Sequence, residues 1–218
     1  CTTDSEQNQI ASFYPGAMAE AGRIHMRELQ ALNPEMVVIS PNDPGAMHQY
    51  VMECAELGLP YLYDPSQQIV RMPAEQLRYG AEHAHCLFVN EYEYELLQKH
   101  TGLNEAELLK NLRFMVVTLG KDGAHIYADG QCYHTPVVPP TEIADPTGVG
   151  DAFRGGFLRG LRLGLGWETC GKMGALAATY CLEQRGTQAH HYTVSEFIAR
   201  YRANFDDQGE LDLLIREG

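Results

Sequence analysis

The strongest constraint on the fold is an alternation along the chain. Short apolar runs rich in β-formers are separated by longer stretches whose apolar residues recur every three to four positions. Such a pattern predicts an α/β fold, a mainly parallel sheet covered by helices. Residues 36–39, 60–63, 87–89 and 115–119 read as buried strands, and 10–14 as a strand stopped by the turn Pro15-Gly16. A helix is expected over 23–32. Another spans 46–57, where Met47, Tyr50, Val51, Cys54 and Leu57 share one face before Gly58 closes it. Asn90 ends a strand where a Glu-rich helix begins, with Glu91, Glu93 and Glu95 in or near its first turn. Residues 124–128 and 131–135 form a hairpin around Asp129-Gly130. A long helix opens at the segment 145–151, and two more run over 167–183 and 194–203.

Composition removes several function classes. The 218 residues carry 16 basic and 29 acidic side chains, a formal net charge of -13. A nucleic-acid partner needs a basic face and is not expected. The apolar runs are far shorter than the roughly 20 residues that cross a bilayer, so no membrane span is expected. Six cysteines, Cys1, Cys54, Cys86, Cys132, Cys170 and Cys181, show neither a CxxC pair nor metal-ligand spacing. This usage fits free thiols in a reducing compartment, and the cytoplasm is the expected location. The chain begins at Cys1 rather than Met, which reads as processing or a fragment, with a lipoprotein start as the alternative. Among the nine histidines only His83-x-His85 has metal-ligand spacing, and His190-His191 reads as a surface turn.

One segment carries chemistry: Asp145-Pro146-Thr147-Gly148-Val149-Gly150-Asp151. A glycine-rich turn entering a helix gathers free backbone N–H groups at the positive end of the dipole, a ready anion site. The acid placed directly after it would repel a bound phosphate unless it has a task. Taking the proton from a hydroxyl that attacks the phosphate is one. The alternative is an ordinary helix N-terminal acid after a plain glycine turn. No GxxxxGK[ST] occurs, and Phe153 stands where GxGxxG needs its third glycine.

Read as DPTGVGDAFRGGF, residues 145–157 resemble the C-terminal signature of the ribokinase-like (PfkB) carbohydrate and nucleoside kinases, D-T-x-G-A-G-D-x-F-x-G-G, with Pro146 and Val149 as departures. Three further segments follow the family's order. Asn90-Glu91-Tyr92-Glu93 is similar to its N-x-x-E element. Thr118-Leu119-Gly120-Lys121-Asp122-Gly123 is similar to its T-L-G-x-x-G. Residues 6–10 followed by Tyr14-Pro15-Gly16-Ala17-Met18 resemble the last lid strand and the turn after it. A match this early in the chain argues against the lipoprotein start.

The resemblance implies a three-layer α/β/α sandwich. It covers 1–218 as one ribokinase-like domain, the C-terminal two-thirds of a family member, with 1–18 as the end of the lid and the return to the core. It also implies an ATP-dependent kinase that uses Mg2+. Asp151 would be the base, and the amides of Gly148, Val149 and Gly150 the anion hole. Asn90 would serve the nucleotide phosphates and Glu93 the magnesium. Thr118, Gly120, Lys121 and Gly123 would line the phosphate and ribose side, while Ala175 faces the adenine and Gly186 closes its pocket. Asp145 and Thr147 match monovalent-cation positions, which admits K+ activation. Asn8 and Asn42 fall in the substrate region, and Asp64-Pro65 near the phosphate and substrate region; Asn42 and Asp64-Pro65 read equally as turn residues.

Phe13 to Met18 is closest in look to bacterial adenosine-kinase-type members, so a nucleoside is the expected acceptor and adenosine the first choice. A sugar kinase of the ribokinase or fructokinase type is the alternative. An inactive nucleotide-binding fragment or subunit is the reading from another class, because the early Gly-Gly signature, the first strands and most of the lid have no counterpart here. An exposed sheet edge and association into a homodimer are expected from the same absence.

Overall fold

The structure is a computed structural model and describes residues 2–3, 9–10 and 12–216. These residues divide into two compact units, 1–117 and 118–218. Among them no helix is long and apolar enough to cross a membrane.

In the first unit, β1 (Thr2–Thr3) and β2 (Gln9–Ile10) form a short antiparallel pair. The expected strand over 10–14 is corrected: residues 12–15 are irregular, and Phe13 and Tyr14 are 61% and 88% exposed. Extended backbone holds as a strand only where it has a ladder partner. The expected helix over 23–32 is likewise broken into a 3-10 turn, α1 (Met26–Leu29) and a second 3-10 turn. The break has a cause. Glu53 is buried, and its carboxylate accepts the Met26 N–H at 2.6 Å and meets His25 Nδ1 at 2.6 Å, which fixes an extended His25 just before α1.

Next come β3 (Val37–Ile39), α2 (Pro44–Leu57), β4 (Tyr61–Tyr63), α3 (Ala74–His83), β5 (Cys86–Asn90), α4 (Glu91–Thr101), α5 (Glu105–Leu109) and β6 (Phe114–Thr118). The strands β3, β4, β5 and β6 lie side by side in that order. The pairs β3–β4 and β4–β5 are parallel, with Val37 opposite Tyr61 and Leu62 opposite Cys86. All three residues of β4 and the first four of β5 and β6 are buried, which is why they read as unbroken apolar runs. On β3, Val38 is 43% exposed. Among the described residues β4 is its one partner in this sheet, as the expected open edge required.

Helix starts follow local chemistry. Asp43 accepts from Ala46 N–H to cap α2, Pro44 sits at its first position, and Gly58 ends it at φ 65°. The sequence reading did not identify α3 and α5. Helix α3 starts after Pro73 with no side-chain cap, and α5 has only five residues, so neither carries a strong periodic signal. Packing decides α3: a Cβ on Gly80 would fall 2.7 Å from the Tyr63 ring, and Tyr61 Oη donates to Gly80 O at 2.7 Å.

The second unit contains β7 (Ala124–Ala128), β8 (Gln131–Thr135), α6 (Val149–Arg162), α7 (Trp167–Leu182), α8 (Val194–Asn204) and α9 (Asp212–Arg216). The hairpin matches expectation, with Asp129 and Gly130 both at positive φ as a tight two-residue turn needs. Helix α7 lies on the hairpin through Gly171, where a Cβ would fall 2.1 Å from Thr135 Oγ1. Helices α6 and α7 meet backbone to backbone. A Cβ on Gly156 would be 2.6 Å from Met173 O, and one on Gly174 would be 2.9 Å from Phe153 O.

Adding one methyl at Gly156 therefore forces the two helices apart. Gly156→Ala is expected to cost about 1–3 kcal/mol, the range for overpacking a filled contact. A lowered thermal midpoint in scanning calorimetry checks it.

Candidate active site

Helix α6 begins on a turn whose conformation its sequence requires. Gly148 is the N-cap at φ 84°, a left-handed position where a side chain would be strained, and a Cβ there would meet Thr187 at 2.9 Å. No side chain caps the helix, and the i→i−4 ladder starts with Ala152 N–H to Gly148 O at 2.9 Å. The first-turn amides of Gly150 and Asp151 thus have no intrahelical acceptor. A Cβ on Gly150 would meet nothing within 4 Å, so the space above these amides is open. Of the three amides expected in the anion hole, that of Val149 turns back to Pro146 O at 3.4 Å.

Asp151 stands on the first turn, its side chain 74% exposed. Its carboxylate lies 3.3 Å from a guanidinium nitrogen of Arg154, whose own side chain is 16% exposed. The sequence reading missed Arg154. Its signal was the i,i+3 spacing from an acid on a helix face, a pattern too common to stand out.

Asp145 joins the turn to the loop after α7. Its Oδ1 accepts the Thr147 N–H at 2.9 Å and its Oδ2 the Gly186 N–H at 3.1 Å. Hydrogen bonds from the Thr147 hydroxyl, the Thr147 amide and the Gly186 amide hold this carboxyl below its ordinary range. Cys181 is fully buried at the same place, its thiol directed at Thr147 O and Thr187 O. Burial, then the charges of Asp145 and Asp151, push that thiol up. The structure thus brings together Asp145, Thr147, Gly148, Val149, Gly150, Asp151 and Gly186. The Gly186 backbone is spent on Asp145.

The remaining predicted residues belong to other elements. Thr118 ends β6, and Gly120 to Gly123 close a tight loop through Leu119 N–H to Gly123 O at 2.8 Å. Gly123 has φ 91° and backs onto β8, where a Cβ would fall 2.0 Å from Thr135 O. Lys121 is exposed at the tip of that loop. Ala175 is buried in α7, with its carbonyl accepting from Thr179 Oγ1 at 3.0 Å.

In the first unit Asn90 and Glu93 form a capping box, the ordinary role of such residues, with both reciprocal bonds at 2.8 Å. The second Glu93 oxygen accepts from Ser66 Oγ at 3.0 Å, a partner that sequence reasoning missed. Ser66 is held at φ 42°, which its neighbours alone do not announce. Asn42 Oδ1 accepts from Asp43 N–H at 2.8 Å, a turn contact, and Asp64 is buried. Asn8 lies outside the described residues.

Two groups can be tested for fit. The open, uncapped amides at α6 suit a phosphate. For a divalent cation, no cluster of three or more His, Cys, Asp or Glu among the described residues could hold one. Both Glu93 oxygens already have donors. Magnesium would thus be reached from Glu93 through water, its usual mode with phosphate ligands.

The segment leading into the turn is itself anchored. Ala144 N–H and Asp145 N–H both donate to Leu182 O, at 2.9 and 3.2 Å. The next residue, Glu183, accepts Thr141 N–H at 2.7 Å and a bidentate pair from Arg200 at 2.6 and 2.7 Å. Arg200, then Thr141, pull the Glu183 carboxyl down to about 2 against the desolvation that raises it. This stabilisation is fully present above the unfolded-state value of 4.5 and is lost as pH falls from there toward about 2. Glu183→Gln is expected to cost about 3 kcal/mol at neutral pH, the lower end for breaking a buried pair. It should also flatten the acid loss of stability in that window, read from thermal midpoints taken between pH 7 and pH 3.

The pfkB family carbohydrate kinase pattern matches residues 1–193. The nucleoside kinase of Methanocaldococcus jannaschii is 30% identical over 203 residues, which cover 91% of this chain and 64% of that protein. The chain therefore spans somewhat less than two thirds of that relative's length. The Burkholderia thailandensis nucleoside kinase in complex with inosine superposes with TM-score 0.89 at 33% identity, over 93% of this chain and 67% of that one. The same enzyme in complex with ADP-inosine gives TM-score 0.87, over 91% and 62%. Ribokinase from Thermotoga maritima shares the fold at TM-score 0.73 and 22% identity, over 92% of this chain and 67% of that one. The expected ribokinase-like α/β fold is thereby established.

Proposed function

The chain belongs to the pfkB family of carbohydrate kinases, and from that premise we propose that it carries the phosphoryl-transfer site of an ATP-dependent nucleoside kinase. The observation that carries this reading is an exposed carboxylate, Asp151, on the first turn of α6 beside uncapped amides over open space. The acceptor's primary hydroxyl oxygen attacks the γ-phosphorus in line, the bond from that phosphorus to the bridging oxygen breaks, and ADP departs. Asp151 accepts the hydroxyl proton. The Gly150 amide, on the turn that Gly148 and Val149 shape, donates its N–H to the charge that develops on the phosphoryl oxygens, which in such sites is the larger contribution.

Magnesium, when bound with the triphosphate, neutralises its charge. Asn90 and Glu93 would hold it through water. Thr118, Gly120, Lys121 and Gly123 serve the nucleotide in this reading, with Ala175 and Gly186 toward its base. Asp145 and Thr147 keep the turn shaped and are the positions for a monovalent cation. The likeness to nucleoside kinases at 30% and 33% identity supports a nucleoside over a free sugar, and adenosine is the first choice on the look of Phe13 to Met18. Asn42, Asn8 and the exposed Phe13 and Tyr14 are the acceptor-side candidates.

Asp151→Asn is expected to lower kcat by about 10²–10⁴-fold, the usual contribution of a positioned base, while ATP binding measured by calorimetry stays within a few-fold. Undiminished turnover in that variant removes the base. A panel of adenosine, inosine, cytidine, ribose and fructose with magnesium-ATP, assayed on the longest form of the protein, tests the acceptor. Turnover on nucleosides is expected, with adenosine highest; turnover on ribose or fructose alone replaces the reading with a sugar kinase.

A further inference from the structure

We propose that Arg154 is a positioning residue for Asp151, holding the carboxylate at the mouth of the amide turn through an anchored guanidinium; this rests on the reading of Asp151 as the base. An exposed i,i+3 ion pair ordinarily joins two mobile side chains and contributes little, because both must be ordered to form it. Here the two partners are unequal. The Asp151 side chain is 74% exposed and the Arg154 side chain 16% exposed, with 3.3 Å between carboxylate oxygen and guanidinium nitrogen. The arginine is already ordered by burial, so the pair restrains the aspartate at little further entropic cost.

Two features make that restraint useful. An aspartate on the first turn of an uncapped helix has competing places to go, either bulk water or the free amides of its own helix. Folding back onto those amides would fill the anion site with the wrong carboxylate. Arg154 lies one turn further along α6 and holds Asp151 away from them. A short acid followed by arginine three residues later, in the N-to-C order, is also the orientation the helix dipole favours.

The test compares Arg154→Met, Arg154→Lys, Asp151→Asn and the double variant Asp151→Asn/Arg154→Met in the longest form of the protein. Arg154→Met should lower kcat by about 10–100-fold, the scale of a 1 Å misplacement of a reacting group. KM for ATP and for the acceptor should stay within about threefold, since the proposed role is in the orientation of the Asp151 carboxylate. Arg154→Lys should recover part of the loss. In the Asp151→Asn background, Arg154→Met should cost nothing more, because its effect runs through the carboxylate.

Unchanged kcat in Arg154→Met, a further multiplicative loss in the double variant, or a rise in KM for ATP in place of the fall in kcat would each overturn the proposal. Any of these would leave the base assignment standing if Asp151→Asn alone is inactive. An active Asp151→Asn removes both readings. A readout that needs no turnover is the crystal structure of Arg154→Met. The Asp151 carboxylate is expected to leave its wild-type rotamer there and to keep it in Arg154→Lys; an unmoved carboxylate in Arg154→Met defeats the proposal.

Discussion

The close contact of α6 with α7 is the constraint on which the second unit depends. At Gly156 and Gly174 the helices approach until backbone carbonyl faces backbone, with no room for a methyl between them. Such a contact has few ways to adjust, because the limiting atoms are main chain rather than flexible side chains. Once α7 is fixed, so is its C-terminal end, where Leu182 O takes two N–H groups from 144–145 and Glu183 takes Thr141 and Arg200. Once α6 is fixed, so is the direction of its first turn. The anion turn between them has little freedom left, and Asp145 closes it by bonding across to Gly186.

Charge is handled in the same region by pairing each acid with a donor of its own. Asp145 spends both oxygens on backbone amides, Glu183 spends both on Arg200, and Asp151 alone remains largely in solvent with Arg154 against it. An unpaired carboxylate pressed against phosphate-binding amides would weaken an anion site through repulsion. Two structural acids with satisfied hydrogen bonds and one exposed acid paired with Arg154 are the arrangement that the proposed anion site needs in a strongly acidic chain.

Much of this was legible from residue order. The Asp129-Gly130 hairpin, the Gly58 stop and the Asn90 cap each follow from local chemistry that needs no distant partner. The Asp145 to Asp151 segment stood out because its glycines and acids follow a family signature, although a glycine turn before a helix acid is by itself a common structural device. Elsewhere local signals failed. Residues 12–14 of the strand expected over 10–14 are irregular, and the helix expected over 23–32 was broken by a carboxylate on α2, 27 residues away from the amide it captures. Helix α3 shows the opposite case, a weak pattern made firm by the Tyr61 and Tyr63 surfaces beneath it.

Family, fold class and the position of the candidate segment were determined by the sequence, since each is written in contiguous residues whose backbone needs are local: positive φ at Gly148, a free helix start after it, an acid on the first turn. Tertiary structure alone decided which side chains serve that segment. Arg154 against Asp151, Gly186 on Asp145 and Arg200 on Glu183 are contacts at separations from three to 41 residues. Their partners are chosen by helix packing and burial, and burial is a property of the folded chain that no short window of residues contains.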